Sequence, residues 1–418
     1  MNVLIKTATI IDFSSKFHNE TCDVLIEKGK ISKIAKSIKN TYNYKEINLE
    51  NLHVSQGWFD SSVCFGEPGF ENRETIENGL KTAAKSGFTS VALQANTNPI
   101  IDSNADVAFL LSKAQNHAVT LLPIGALTKN SESIDLAELF DMKNAGAVAF
   151  SDYKKPITNP NLLKIALQYA SHFGGLVCSF PLETQIAGKG MVNEEFTSTS
   201  LGLKGSPNLA EAMQVARDIF LLEYTGGKLH IPTISTAESV DLIREAKAKK
   251  LDVSCSVAIH NLCLTDTFLE AFDTNYKVNP PLRTQNDIDA LLEGLKDGTI
   301  DMVTSDHNPI TIEDKNVEFD HAAYGTIGLE SAFGALNNLF STKKTIQLLT
   351  KGKTRFNLEQ TSINEGEVAN LTLFNPTTKY AFTETDIVSK SKNSAFLGQE
   401  LKGKVYGIIA NNKLVLKS

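Results

Sequence analysis

The sequence predicts an α/β chain in which a (β/α)8 (TIM) barrel carries a small composite β-sandwich domain built from the N- and C-terminal segments. Two patterns carry this expectation. From residue 56 to about 360, short apolar strand-like runs alternate with helix-period stretches, as a parallel sheet with crossover helices requires. Residues 1–55 and 361–418 are instead β-rich without intervening helices, and neither end has enough strands to bury a face alone, so the two ends are expected to pair. A chain of 418 residues, 42% hydrophobic and 21% charged, suits one enzyme-sized domain plus a smaller one.

The N-terminal half of the β domain contributes Val3–Ile5, Ala8–Ile11 and Asp23–Ile26, with a turn signal at Lys28-Gly29-Lys30. The barrel opens on the apolar run after Gln56. The helix that follows shows its period most clearly: Ile76, Leu80, Ala83, Ala84 and Gly87 fall on one face. Further barrel strands are expected at Phe88–Gln94, Val119–Ile124, Ala147–Phe150, Leu176–Phe180, Lys228–Ile231, Leu251–Val257 and Asp301–Ser305, which with the opening strand makes eight. Helical stripes intervene at Leu163, Ala166, Leu167 and Ala170, and at Leu209, Met213, Ala216 and Phe220. The C-terminal half returns to strands at Asn370–Phe374, Gly403–Ile409 and Leu414–Leu416, the last two joined by a turn at Asn411-Asn412. In such a barrel the working groups sit at the C-terminal strand ends.

Charge and composition exclude several classes. A formal net charge of −7 without any basic tract argues against a nucleic-acid or acidic-membrane partner, which needs a basic footprint. No run approaches 18 apolar residues and the N-terminus passes straight into strand-like sequence, so a cytoplasmic chain is expected. The five cysteines, Cys22, Cys64, Cys178, Cys255 and Cys263, are scattered without paired spacing, which fits reduced thiols.

The stretch Gln56-Gly-Trp-Phe-Asp-Ser-Ser-Val-Cys-Phe-Gly-Glu-Pro-Gly69, with Glu74-Thr75-Ile76-Glu77 opening the next helix, resembles the first barrel strand of the dihydroorotase family of cyclic amidohydrolases. The resemblance runs over nearly the whole chain. Its other marks are Ala95-Asn96-Thr97-Asn98-Pro99, Gly146–Asp152, Val278-Asn279-Pro280-Pro281-Leu282-Arg283, Asp297–Asp301 and Ser305-Asp306-His307. The resemblance implies a zinc enzyme that opens a cyclic amide with metal-activated water, whose pKa the metal lowers from 15.7 to about 7.

The same resemblance implies that the chemistry has been lost here. Where the family's first strand ends Asp-x-His-x-His-x-Arg, the histidine positions are Ser62 and Cys64 and the arginine, a bidentate carboxylate clamp, is Gly66. The acidic ligand position of the fourth strand's loop is Tyr153, the fifth-strand histidine is Ser179 and the sixth-strand histidine is Thr233. Asp306, a general acid/base in the family, survives as a vestige, and the histidine that would follow it is Ile310. Asn96, His260 and Asn279 stand at substrate-contacting loop positions, where loop hydrogen bonding is an equal reading. None of the eight histidines falls on a ligand position. His230, near the start of its strand, is expected to point away from the mouth, and His307 to shape its loop. Cys64 as a nucleophile lacks a neighbouring base and reads as a small buried residue.

No cofactor is therefore expected in place of the family's zinc. The primary expectation is a non-catalytic dihydroorotase-like protein of pyrimidine biosynthesis, as the resemblance implies, a structural or regulatory partner that assembles with aspartate carbamoyltransferase, with copies of itself, or with both. Two alternatives stand: an active divergent dihydroorotase or related cyclic-amide hydrolase, and a small-molecule binding module using the barrel mouth.

Overall fold

The computed structural model describes residues 1–417. The N-terminal end forms β1 (Val3–Ile11), β2 (Thr21–Glu27), β3 (Lys30–Ala35), β4 (Lys45–Ile47) and β5 (His53–Gln56). The barrel then runs through β6 (Trp58–Val63), β7 (Phe88–Leu93), β8 (Thr120–Gly125), β9 (Ala149–Phe150) and β10 (Leu176–Cys178). An excursion follows in which β11 (Val192–Asn193) pairs with β12 (Gly205–Ser206). The barrel resumes with β13 (Lys228–Ile231), β14 (Val253–Ala258) and β15 (Met302–Thr304), and the chain ends in β16 (Leu371–Ala381), β17 (Glu400–Ala410) and β18 (Lys413–Leu416).

Eight parallel strands form the barrel sheet in the order β15-β14-β13-β10-β9-β8-β7-β6. The seam between β6 and β15 is drawn together by a parallel bridge from Val63 to His307 and by a buried carboxylate, Asp60. Asp60 accepts from the Ser62 amide at 3.0 Å, the Ser305 amide at 2.9 Å and the Thr304 hydroxyl. Burial pushes the Asp60 carboxyl up, and hydrogen bonds from Ser305, Thr304 and Ser62 oppose that shift.

The sandwich expected from the two ends takes the form of one continuous sheet, ordered β18-β17-β16-β5-β1-β2-β3 with β4 beside β1. Its halves meet where β16 runs antiparallel to β5, Leu373 opposite Val54. Neither half could bury its apolar face alone; together they enclose Ile5, Ile10, Val24, Val54, Leu371 and Leu373. Trp58 fastens this domain to the barrel floor, stacking on Phe333 at 4.8 Å and packing against Phe374 at 5.7 Å.

The helices obey the expected stripes in two cases and reverse it in a third. In the helix Ile76–Lys85 the residues Ile76, Leu80, Ala83 and Ala84 are buried, and in Pro160–Ser171 so are Leu163, Ala166, Leu167 and Ala170. In the helix Asn208–Thr225 the stripe Leu209, Met213 and Phe220 faces solvent, while Ala210, Glu211, Gln214, Val215 and Asp218 face the barrel. The physical reason is a buried polar network. Glu211 accepts from the amides of Ser235 at 2.8 Å and Thr236 at 3.1 Å, and Asp218 accepts from the Ser179 hydroxyl at 2.6 Å and the Arg217 guanidinium at 2.8 Å. Hydrogen bonds to strand-end loops, unavailable on the other face, hold the polar side inward.

Candidate functional site at the barrel mouth

Three loops at the C-terminal strand ends place their side chains by an unusual backbone. Tyr153, Thr233 and Asp306 all hold left-handed conformations, with φ of 57°, 50° and 49°. For a β-branched threonine this costs of order 1–3 kcal/mol, and such strain persists only where surrounding structure imposes it. The loop after β9 is held from below by Asp152, which accepts from the Leu127 and Thr128 amides, both at 2.9 Å, and from the Thr128 hydroxyl.

At the centre stands a lysine. The Lys154 ammonium is paired with the Asp306 carboxylate and also donates to the Asn279 carbonyl. Ser62 donates to the other Asp306 oxygen at 3.5 Å and accepts from the Gln94 amide group at 3.2 Å. Burial pushes the Asp306 carboxyl up, against the pull of Lys154. Cys64 lies beside Tyr153 and Asn96, and burial pushes its thiol up to about 12, so it carries no thiolate near neutral pH. The Tyr153 hydroxyl is pushed well above its ordinary range by the same burial, with Cys64 and Asp306 nearby. Between Ser62, Gln94, Tyr153, Phe180, Thr233 and Asp306 remains a cavity of ≈ 10 Å³, about the space one water requires.

The structure brings most of the sequence-selected positions together. Ser62, Tyr153, Thr233 and Asp306 all line this mouth, and Cys64 lies behind them. Ser179 does not join them. β10 ends at Cys178, and the Ser179 hydroxyl turns to Asp218 in the helix layer, so the next residue, Phe180, lines the mouth instead. Of the substrate-contact candidates, Asn279 offers Lys154 its carbonyl, and Asn96 keeps a buried side-chain oxygen without a partner. His260 is fully buried with neither ring nitrogen hydrogen-bonded; burial, with Lys154 nearby, lowers its pKa to about 3. His230 sits inside the barrel between Ser254 at 2.9 Å and Ser256 at 3.3 Å. His307 accepts the Gly328 amide at 3.2 Å and shapes the loop after β15.

Gly66, at the arginine position, has φ +73°, and a Cβ built there would meet the Phe70 carbonyl oxygen at 2.5 Å. A side chain on that left-handed backbone would be strained and would crowd the Phe70 carbonyl.

Sequence reasoning missed Lys154, Gln94 and Phe180. A signal existed for the first: a cation two residues after Asp152, in a loop where the resemblance expects acids and a glycine.

Zinc binds through three or four thiolate, imidazole or carboxylate donors. The mouth offers hydroxyls, a thiol that stays protonated and one carboxylate already matched to an ammonium, and these residues do not fit the metal. Among the described residues no group of three or more His, Cys, Asp or Glu side chains could hold an ion. No helix among them is long and apolar enough to cross a membrane.

Comparison with known proteins gives a coherent set. Residues 53–239 match the dihydro-orotase-like family model. The dihydroorotase of Pelotomaculum thermopropionicum is 40% identical over 425 residues, covering 100% of this chain and 99% of the relative. That of Caldicellulosiruptor saccharolyticus is 41% identical, covering 99% and 98%. Among solved structures, L-hydantoinase (dihydropyrimidinase) from Arthrobacter aurescens superposes with a TM-score of 0.85 at 21% identity, over 100% of this chain and 96% of that one. D-hydantoinase from a Thermus species gives 0.82 at 20%, over 99% and 95%. At those identities the two hydantoinases speak for the fold alone.

Proposed function

The chain belongs to the dihydroorotase-like family, and on that premise we propose that it is a non-catalytic member, acting as a structural or regulatory partner of aspartate carbamoyltransferase. The observation that carries the first half is the Lys154–Asp306 pair. The surviving acid of the family's chemistry is matched to an internal ammonium, within a ring whose other side chains include hydroxyls, the Gln94 amide, a protonated thiol and Phe180. A hydrolytic role would need that carboxylate free to move a proton and a nucleophile activated beside it. The partner half rests on the resemblance and on the asymmetry of what is kept: the barrel seam and the composite β domain are intact, while the reactive positions are replaced.

A second reading, a divergent active dihydroorotase, is favoured by full-length identity near 40% to proteins of that name. Use of the mouth as a ligand site finds little support in a cavity of ≈ 10 Å³.

Two measurements separate these. Purified, dialysed protein is expected to carry less than a tenth of an equivalent of transition metal and to interconvert dihydroorotate and carbamoyl-aspartate no faster than buffer. Turnover that disappears in Asp306→Ala would establish the active reading instead. Co-expression with aspartate carbamoyltransferase of the same cell, followed by size exclusion with light scattering, is expected to give one joint peak. Two separate peaks at micromolar concentration, with the transferase's stability unchanged, would refute the partner role.

A further inference from the structure

The Lys154 ammonium rests in a setting suited to a positive charge, and it uses only part of that setting. Its partners are the Asp306 carboxylate and the Asn279 carbonyl, and it lies 5.5 Å from the centre of the Tyr153 ring. A carboxylate, a carbonyl and an aromatic face are groups that recognise organic cations. More oxygens stand around the ammonium than it engages. Gln94 Oε1 and Thr233 Oγ1, on side chains in the cavity wall, are buried without a partner, and the second Asp306 oxygen has only the 3.5 Å contact from Ser62. Unpaired buried oxygens are costly, and so is the left-handed backbone at Tyr153, Thr233 and Asp306; both concentrate where a ligand is clamped.

We propose that the barrel mouth is a binding site for a small organic cation with a guanidinium or amidinium head, and that Lys154 is its built-in competitor. Three observations select this chemistry. The first is charge balance. The Asp306 side chain is 4% exposed, and Lys154 is the cation paired with it among the described residues. A neutral or anionic guest that displaced the ammonium would strand a buried carboxylate, whereas a cation replaces like with like. The second is access. The cavity of ≈ 10 Å³ beside Lys154 holds about one water, so a larger guest has to take the ammonium's own place. The Lys154 side chain is 16% exposed, which gives its flexible stem a way out to solvent. The third is shape. A planar forked head donates to both oxygens of a carboxylate at once, as the ammonium does not do here. It has further N–H groups for Gln94 Oε1 and a flat face for Tyr153 or Phe180, which line the same wall. Lys154–Asp306 is the same ion pair that carries the non-catalytic reading, and the cation site rests on that reading of it.

Titration of the full-length, EDTA-dialysed chain with methylguanidinium, followed by ligand-observed NMR, tests the site. The unaltered protein is expected to bind it with a millimolar dissociation constant. Lys154→Ala removes a tethered competitor and should tighten binding at least thirtyfold. Adding Asp306→Asn should return the affinity to the unaltered value or below. Urea, an uncharged counterpart of similar shape, and tetramethylammonium, a cation without N–H donors, should bind neither form. Gln94→Leu leaves the ion pair in place and should weaken binding about fivefold in the unaltered background, a readout that stands even where Lys154→Ala does not fold. No binding to the unaltered protein at 100 mM would overturn the proposal, since water alone would then serve the wall oxygens. So would a Lys154→Ala protein that binds no tighter, binding indifferent to Asp306→Asn or to Gln94→Leu, or equal binding of urea. Dihydroorotate turnover in the same samples would refute the non-catalytic reading instead, and the titration would still decide the cation site.

Discussion

Asp60 and Asp306 lie on opposite sides of the barrel seam, both almost wholly buried, and they differ in what holds them. Asp60 is surrounded by donors fixed by the strands: the Ser62 amide on its own strand β6, the Thr304 hydroxyl on β15 and the Ser305 amide just after it. Asp306 is held by one side-chain cation, Lys154, and a long contact from Ser62. The first arrangement is architecture, since removing it unpairs groups that belong to the fold itself. The second is a side-chain pairing: an ammonium from the loop after β9, on the far side of the barrel, offsets the buried carboxylate.

The comparison breaks most readily at Asp60. Asp60→Ala would strand the Ser305 amide and Thr304 hydroxyl inside the barrel, and a cost of about 3–5 kcal/mol is expected from losing a buried, multiply bonded carboxylate. Urea unfolding should show the midpoint falling at unchanged slope. A loss below about 1 kcal/mol would mean that the seam is held elsewhere.

Lys154 sharpens it. Lys154→Met leaves Asp306 buried without its cation, an expected loss of about 2–3 kcal/mol. Adding Asp306→Asn removes the stranded charge and should return most of that loss. A double-mutant cycle on the same unfolding assay measures the coupling directly. Near-additive effects would show that the pair contributes nothing, and would detach the Lys154 ammonium from any role at the mouth.

The smallest expected effect concerns the kept backbone. Thr233→Asn places a residue tolerant of left-handed φ where a β-branched one is strained, and should stabilise by about 0.5–1 kcal/mol. A rise of a few degrees or less in melting temperature is the readout. Destabilisation would indicate that the threonine's packing outweighs its backbone cost.

What the sequence by itself determined is the frame. Strand periodicity located all eight barrel strands, because a strand buried on both faces reads as a short apolar run wherever it occurs. The inability of either end to bury a face alone predicted that they share a sheet, and β5 against β16 is that union. The resemblance to the dihydroorotase family, rather than spacing, marked Ser62, Tyr153, Thr233 and Asp306 as neighbours, and all four line the mouth. The tertiary structure decided three things that spacing could not. Ser179 leaves the mouth because β10 ends one residue before it, and a shift of one position exchanges the faces of a strand. Lys154 reaches Asp306 across 152 residues, a meeting that no local pattern encodes. The Leu209–Met213–Phe220 stripe faces outward because Glu211 and Asp218 find donors on the loops beneath them. A helical period reports that one face is apolar, but which face turns inward depends on the partners that the rest of the fold brings to it.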